Sequence, residues 1–539
     1  MKISQARFRR LAFIIFLAVM SAGLSSRAAG KRSPKGPENI WTRTSSRFMY
    51  APVIGFDMET RAVKYKFTVV GKNRKVIERE CDEPILRFAD FWDDLPVGYV
   101  NMICEPIGAD DDTVGEVRSR FFWKKAPFKG GYAKAKCTYA ESSRRAYDYL
   151  FGSPAFQHLA KHGVPDPDYK LNSYPTKMNA AIVKSMVSYA KLEPSKATEA
   201  MNLARKAADY LISVSEKPGR PLAGFPPTYM GAKEEAAKKY AGQIMIHYPA
   251  EAADAYLALH DATQDARYLD AAVLIADKLL ALQGDDGTWA LKLRCSDGQA
   301  VNPNRAFPVV QAKLLERLYR VTGKVEYRAA ADRAFSYIDE GPINTWNWEA
   351  QYEDTPAEGM YMNLDMHSPT DAAIFCLERF PGDACRIELA KALMKFVEDQ
   401  FVDWETPYQG YWEMPLVWGP HGGSVCDQGF KIWTTPGVEE QYRTYSPVDA
   451  SAAKVILGFL ACYRATGEAI YLAKAKALAD TATIVQRDDG SIPTWWNPRG
   501  SHDSDWINCM AVTAAVLGGA WPAVGGHAEV APPDRSDRH

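Results

Sequence analysis

Apolar and polar positions alternate with period two between about residues 45 and 140, then recur with helical periodicity from about 142 to 521. In the first stretch, Val63 to Val70, Val100 to Cys104 and Val117 to Trp123 are rich in aromatic and β-branched residues. Turn-forming breaks fall at Gly71 to Asn73 and Gly108 to Thr113. Several short strands within a hundred residues predict a small β-sandwich over 45–140. The helical stretch divides into two alternating sets. One begins near 175, 249, 303, 367, 447 and 504 and is apolar on several faces, as at Ala450 to Ala461. The other begins near 142, 196, 264, 324, 385 and 468 and is amphipathic, as at Arg328 to Phe335. A helix apolar nearly all round belongs inside and an amphipathic one outside. Six of each predict a mainly α chain whose second domain, 142–521, is an (α/α)6 toroid. A tetratricopeptide-like superhelix would need short, uniform turns, and these are not uniform.

The helical region also repeats itself. At an offset of 203 residues, Tyr268 matches Tyr471, Asp277 matches Asp480, and Gln283 matches Gln486. Asp285, Asp286 and Gly287 match Asp488, Asp489 and Gly490. A third copy starts with Thr322, Gly323 and Tyr327. A Thr-Gly turn followed by a helix-starting aromatic joins two helices into a hairpin.

The connections fall into two classes. Inner-to-outer links such as Arg464 to Gly467 are minimal. The outer-to-inner links, about 215–248, 283–302, 339–366, 401–446 and 487–503, are long. Long loops collected on one rim of a rigid scaffold point to a functional site. These loops carry Trp289, Trp346, Trp348, Trp412 and Trp496. If exposed, such rings offer flat faces to the C–H surfaces of sugars. A second concentration of polar groups lies just before each inner helix: Tyr174 to Asn179, His247 and Tyr248 with Glu251, Asn302 to Arg305, Asn363 to His367, Tyr442 to Tyr445 with Asp449, and His502 to Trp506. In a closed ring all six converge at one mouth. Some are helix caps, with Ser368, Asp503 and Ser504 the obvious ones.

Composition narrows the partners. The 539 residues hold 65 basic and 66 acidic side chains with no basic stripe, which excludes a nucleic-acid partner. Lys2, Arg7, Arg9 and Arg10 precede the apolar run Leu11 to Met20, and small residues lead to Ala29. This is the layout of a signal peptide over 1–29, so a secreted or periplasmic location is expected, with no membrane span in the mature chain. Nine scattered cysteines form no metal-like pattern; Cys81 and Cys104 lie in one β-rich segment. The Gly/Pro-rich tail, 522–539, is expected to be disordered.

Two chemistries fit these residues. Glycoside hydrolysis needs two carboxyls of opposite protonation state. Asp354, Asp365, Asp503 and Asp505 are candidates, with Glu349 and Glu353 in reserve. Elimination from a uronate needs a base and a group that neutralises the carboxylate. His247, Tyr248, His367, Tyr445 and His502 are candidate bases, and Arg305, Arg443 and Asn363 candidate neutralisers. The arginines favour an acidic sugar, because their planar fork matches a carboxylate. With Trp506, the tryptophans and these neutralisers make up the expected substrate-binding set.

The Thr-Gly-x3-Tyr turns, the Gln-x-Asp-Asp-Gly helix ends at Gln283 and Gln486, and the Trp-rich rim resemble the six-hairpin (α/α)6 toroid superfamily of carbohydrate-active enzymes. That superfamily includes unsaturated glucuronyl hydrolases and uronate polysaccharide lyases. The N-terminal segment resembles the fibronectin type III-like modules attached to such enzymes. The likeness spans 142–521 and implies an architecture and a carbohydrate substrate, with no cofactor. Gly359 to Asp365 loosely resembles a segment of the unsaturated glucuronyl hydrolases, but its Asp is displaced and no catalytic assignment transfers. The expectation is an exported enzyme cleaving glycosidic linkages in uronate-containing glycans, with hydrolysis ahead of elimination. The alternative is a non-catalytic glycan-binding protein, which a mouth plugged by hydrophobic side chains would favour. No metal site is assigned.

Overall fold

The computed structural model describes residues 45–354, 364–406, 434–441, 447–496, 505–519 and 521. The proposed signal peptide and tail lie outside these residues. The chain forms two compact units, one holding the described residues through Pro127 and the other those from Phe128 onward.

The first unit is built of β1 (Arg47–Phe48), β2 (Val53–Gly55), β3 (Lys64–Gly71), β4 (Val76–Cys81), β5 (Ile85–Arg87), β6 (Gly98–Ile107) and β7 (Arg118–Lys124). Five strands form one sheet in the order β1-β7-β6-β3-β4, antiparallel except for β1 on β7, while β2 and β5 pair separately. The period-two pattern of β3 turns Tyr65, Phe67 and Val69 into the core. Phe122 meets Phe48 and Phe88 edge-on there and stacks on Trp92. Cys81 on β4 and Cys104 on β6 flank β3, opposite Tyr65 and Phe67 respectively. Two strand spacings, about 9–10 Å, exceed the reach of a disulfide. Both thiols are free.

The second unit is a closed double ring of helices. Outer helices are α1 (Tyr139–Gly152), α3 (Ala197–Val214), α5 (Ala266–Leu282), α7 (Val325–Ile338), α9 (Ala384–Phe401) and α11 (Ala469–Val485). Inner helices are α2 (Pro175–Leu192), α4 (His247–Thr263), α6 (Val309–Thr322), α8 (His367–Arg379), α10 (Asp449–Thr466) and α12 (Ile507–Gly518). Each inner helix packs on the next, and α12 packs back on α2, which closes the ring; α1 pairs with α12 as the sixth hairpin. The expected (α/α)6 toroid is therefore the observed fold.

The repeated residues turn out to be staples between outer helices. Tyr268 Oη donates to Asp209 at 3.1 Å, Tyr327 to Asp277 at 2.7 Å and Tyr139 to Asp480 at 2.6 Å. Gln283 Nε2 donates to the carbonyls of Gly287 and Ala330 at 2.8 and 2.9 Å; Gln486 repeats this with Gly490 and Ser142, both at 2.8 Å. Gly287 and Gly490, at φ 84° and 91°, lie so close to the carbonyls of Arg333 and Arg145 that a Cβ would overlap them. The Thr-Gly turns place Gly323 and Gly467 in the left-handed conformation that ends α6 and α10, and Gln264 takes the same conformation after α4.

The long outer-to-inner connections all open on the N-terminal ends of the inner helices. Two of them meet as a short antiparallel pair, β8 (Gln243–Met245) on β9 (Lys292–Arg294). Among the described residues no helix is long and apolar enough to cross a membrane.

Candidate active site

Glu353 and Asp354 sit side by side on the loop between α7 and α8. Glu353 Oε1 takes an ion pair from Lys177 Nζ at 2.8 Å, and Oε2 a short hydrogen bond from Tyr248 Oη. Lys177 lies in the first turn of α2, where a cation is opposed by the helix dipole. An anion is needed to hold it there, and Glu353 is that anion. Burial opposes charge on Glu353, but Lys177 and Tyr248 outweigh it and hold its carboxyl below the ordinary range. Asp354 is exposed, yet crowding by surrounding protein and the adjacent Glu353 charge push its carboxyl up to about 6. Two neighbouring carboxyls are thus driven in opposite directions.

Glu440 stands nearby, 3.6 Å from His367 Nε2, and its charge bears on both Asp354 and Lys177. Tyr352 packs edge-on against His367 at 5.8 Å and donates to the Glu440 carbonyl at 3.3 Å. Lys177 also lies 5.5 Å from the Trp506 ring centroid, and Trp506 meets Trp495 edge-on.

Below this mouth the inner helices are joined by charge. Asp371 bridges Lys313 at 3.0 Å and Lys454 at 2.6 Å; Asp254 bridges Arg317 at 2.6 Å and Lys184 at 3.3 Å. Glu251 and Lys454 stand on α4 and α10, opposite in the ring, and still feel each other's charge, so both face the lumen. A hydrophobic plug is not what these residues build.

Several expected site residues have structural duties instead. Asp365 Oδ1 accepts the backbone N–H groups of His367 and Ser368 at 2.6 and 3.1 Å, so Asp365, rather than Ser368, caps α8. Burial outweighs these bonds and pushes its carboxyl up to about 6. Asp505 pairs with Arg487 and accepts the Thr494 N–H. Arg305 forks onto Asp286 at 2.5 and 2.9 Å and is committed to that loop rather than held open for an acidic sugar.

His247 Nδ1 faces the Gln311 amide nitrogen at 3.2 Å and Nε2 the Gln351 oxygen at 3.3 Å. That arrangement makes Nδ1 the acceptor and leaves no lone pair for a substrate proton. Burial holds the ring neutral. Trp289, Trp348 and Trp496 are core rings, each at most 1% exposed, and Trp289 Nε1 donates to the Leu279 carbonyl at 2.8 Å. The expectation that they form an exposed rim is corrected: these rings pack the loops against the barrel. Trp346, at φ 54°, lies 5.5 Å from Phe396 and is half-buried. Tyr445, Asp503, Asn363, Trp412, Arg443 and His502 lie outside the described residues.

Asp354, His367 and Trp506 remain at the mouth, joined by Glu353 from the reserve set. Glu440, Tyr229 and Lys292 were not anticipated from the sequence, and Lys177 only as part of the stretch Tyr174 to Asn179. Lys177 carried its own signal, a cation in the first turn of an apolar helix. Among the described residues no group of three His, Cys, Asp or Glu side chains is placed to hold a metal ion.

No protein-family model matches the chain, and no curated protein is significantly similar to it. Among solved structures it is similar to a family 76 glycoside hydrolase from a bovine Bacteroides thetaiotaomicron strain, at 11% identity and TM-score 0.47, over 89% of this chain and 97% of that one. It is also similar to cellobiose 2-epimerase from Spirochaeta thermophila (12%, TM-score 0.47, 70% and 96%). A third is an unsaturated glucuronyl hydrolase specific for heparin (11%, TM-score 0.43, 70% and 95%).

Proposed function

We propose that this chain is an exported glycoside hydrolase acting on uronate-containing polysaccharides or their oligosaccharides, with Asp354 as its general acid. The observation that carries the reading is the divergence of the two adjacent carboxyls, Glu353 held ionised and Asp354 held protonated towards pH 6. Glycosidic cleavage needs that division of labour, one carboxyl to protonate the leaving oxygen and one charge to meet the developing oxocarbenium ion. Glu353 supplies the field that keeps the Asp354 proton in place. Glu353 already accepts bonds from Lys177 and Tyr248, so the attacking or water-activating carboxylate falls to Glu440.

Hydrolysis is placed ahead of elimination for a further reason. His247 has its lone pair engaged, and burial among carboxylates drives the Tyr248 hydroxyl well above its ordinary range, so neither is a ready base. The acidic-substrate part of the proposal leans on Arg443 in the sequence, since Lys177 is paired with Glu353 and Arg305 with Asp286.

The test is incubation with a panel of uronate-containing and neutral glycans, following reducing ends and the ultraviolet absorbance of unsaturated products together. Reducing ends without new absorbance are expected, and Asp354→Asn abolishes them. Rising absorbance would replace hydrolysis by elimination. Binding without any product would replace enzyme by glycan-binding protein.

A further inference from the structure

The main-chain carbonyl of Glu353 accepts two side-chain donors, Tyr229 Oη at 2.7 Å and Lys292 Nζ at 3.1 Å. Both donors are buried, and they come from two different outer-to-inner connections, those before α4 and α6. The two connections are tied to each other by β8 on β9, the strand that carries Lys292. The Lys292 ammonium is itself held against the Tyr240 ring, 3.7 Å from its centroid, and lies 5.7 Å from the Tyr229 ring. Burying an amine this deeply costs stability unless something requires it there. An apolar side chain would fill the same space at less cost, so packing alone does not explain Lys292. What it touches is the peptide joining the two carboxyls.

We propose that Lys292 and Tyr229 are positioning residues for the carboxylate pair, fixing the Glu353–Asp354 turn from beneath while Lys177 and Tyr248 fix the Glu353 carboxylate from the side. The inference rests on the reading of Asp354 as the acid. Four donors from three separate segments then set one dipeptide. The two loops joined by β8 and β9 become part of the catalytic apparatus without touching substrate. A displacement of about 1 Å at such a turn costs on the order of 10²-fold in rate.

The experiment compares Lys292→Met and Tyr229→Phe with the unaltered full-length chain. Turnover on the active glycan is measured together with the titration of the Asp354 carboxyl, read by carbon-13 NMR. Tyr229→Phe keeps its ring packing and serves if Lys292→Met fails to fold. Both variants are expected to lose kcat by on the order of 10²-fold at nearly unchanged KM. Only Lys292→Met, which removes a charge, should raise the Asp354 midpoint substantially. A lysine that lent only packing or charge would lower the melting temperature or shift that midpoint without loss of kcat, and Tyr229→Phe, which removes no charge, would then keep full turnover. Folded variants with unchanged kcat and an unchanged Asp354 titration would overturn the proposal. If the unaltered chain cleaves no glycan, the hydrolase reading fails by itself and the positioning role is judged on the titration alone.

Discussion

Lys177 on the first turn of α2 and Glu353 on the loop before α8 meet at 2.8 Å across the mouth of the ring, 176 residues apart in the chain. The contact keeps one carboxyl charged beside a second one that resists charging. The protonation state of each carboxyl is set here by its neighbours as much as by the group itself.

Asp354→Asn should lower turnover by on the order of 10²–10⁴-fold with little change in folding, because the residue is exposed. In the unaltered enzyme kcat/KM should fall as pH rises through about 6, where Asp354 loses its proton. The check is a pH–rate profile on the active glycan, and a flat alkaline limb would count against Asp354 as the acid.

Glu353→Gln removes the charge that raises Asp354, so the Asp354 midpoint should move down and the alkaline limb should shift to lower pH. It also strands a half-buried lysine. A loss of about 1–3 kcal/mol is expected by denaturant titration, and Lys177→Met in the same chain should recover much of it.

Asp365 has its folded-state carboxyl raised to about 6 from an ordinary value of 3.8. The folded protein therefore holds this proton more tightly than the unfolded chain does. The resulting contribution is fully present below about pH 4 and is lost as pH rises to about 6, by up to about 3 kcal/mol. Asp365→Asn should flatten that part of the stability–pH curve, which thermal melts between pH 4 and 7 would show.

Gly490→Ala should destabilise the ring by about 1–3 kcal/mol, since it imposes a side chain at φ 91° against the Arg145 carbonyl. Gln264→Gly should act oppositely, gaining up to about 1 kcal/mol by relieving a left-handed non-glycine residue after α4. Paired chemical denaturation curves decide both.

The ring was legible in the chain because its repeats are local. The Thr-Gly turn, the Tyr before the outer helix and the Gln-x-Asp-Asp-Gly helix end are short motifs. They recur with the same mechanical task, as in Tyr268 to Asp209 and Tyr327 to Asp277. Helix starts at Pro175 and His367 follow from periodicity, helped at Pro175 by a proline in the first helical position. The site was less legible because its contacts are remote in sequence. Nothing near Glu353 in the chain says that Lys177, Tyr248, Tyr229 and Lys292 will converge on it. The tryptophans misled for a related reason: a ring in a loop reads as exposed, whereas Trp289, Trp348 and Trp496 are the cores of their loops. Arg305 reads as a free fork until the turn that brings it to Asp286 is seen.

The pairing of α1 with α12 has a consequence for how the protein is made. Ser143 Oγ on α1 bonds the Ala514 carbonyl, and Gln486 clips Ser142, so the first helix of the ring finds its hairpin partner 371 residues further along the chain. At about 5–20 residues per second, roughly 20–70 s pass between the synthesis of the two. For that interval the sides of α1 and α2 that pack on α12 are uncovered, although α2 already has α3 and α4 as neighbours. A chain cut short before Ile507 would keep them bare permanently, leaving an open arc with two sticky ends that other such chains can fill.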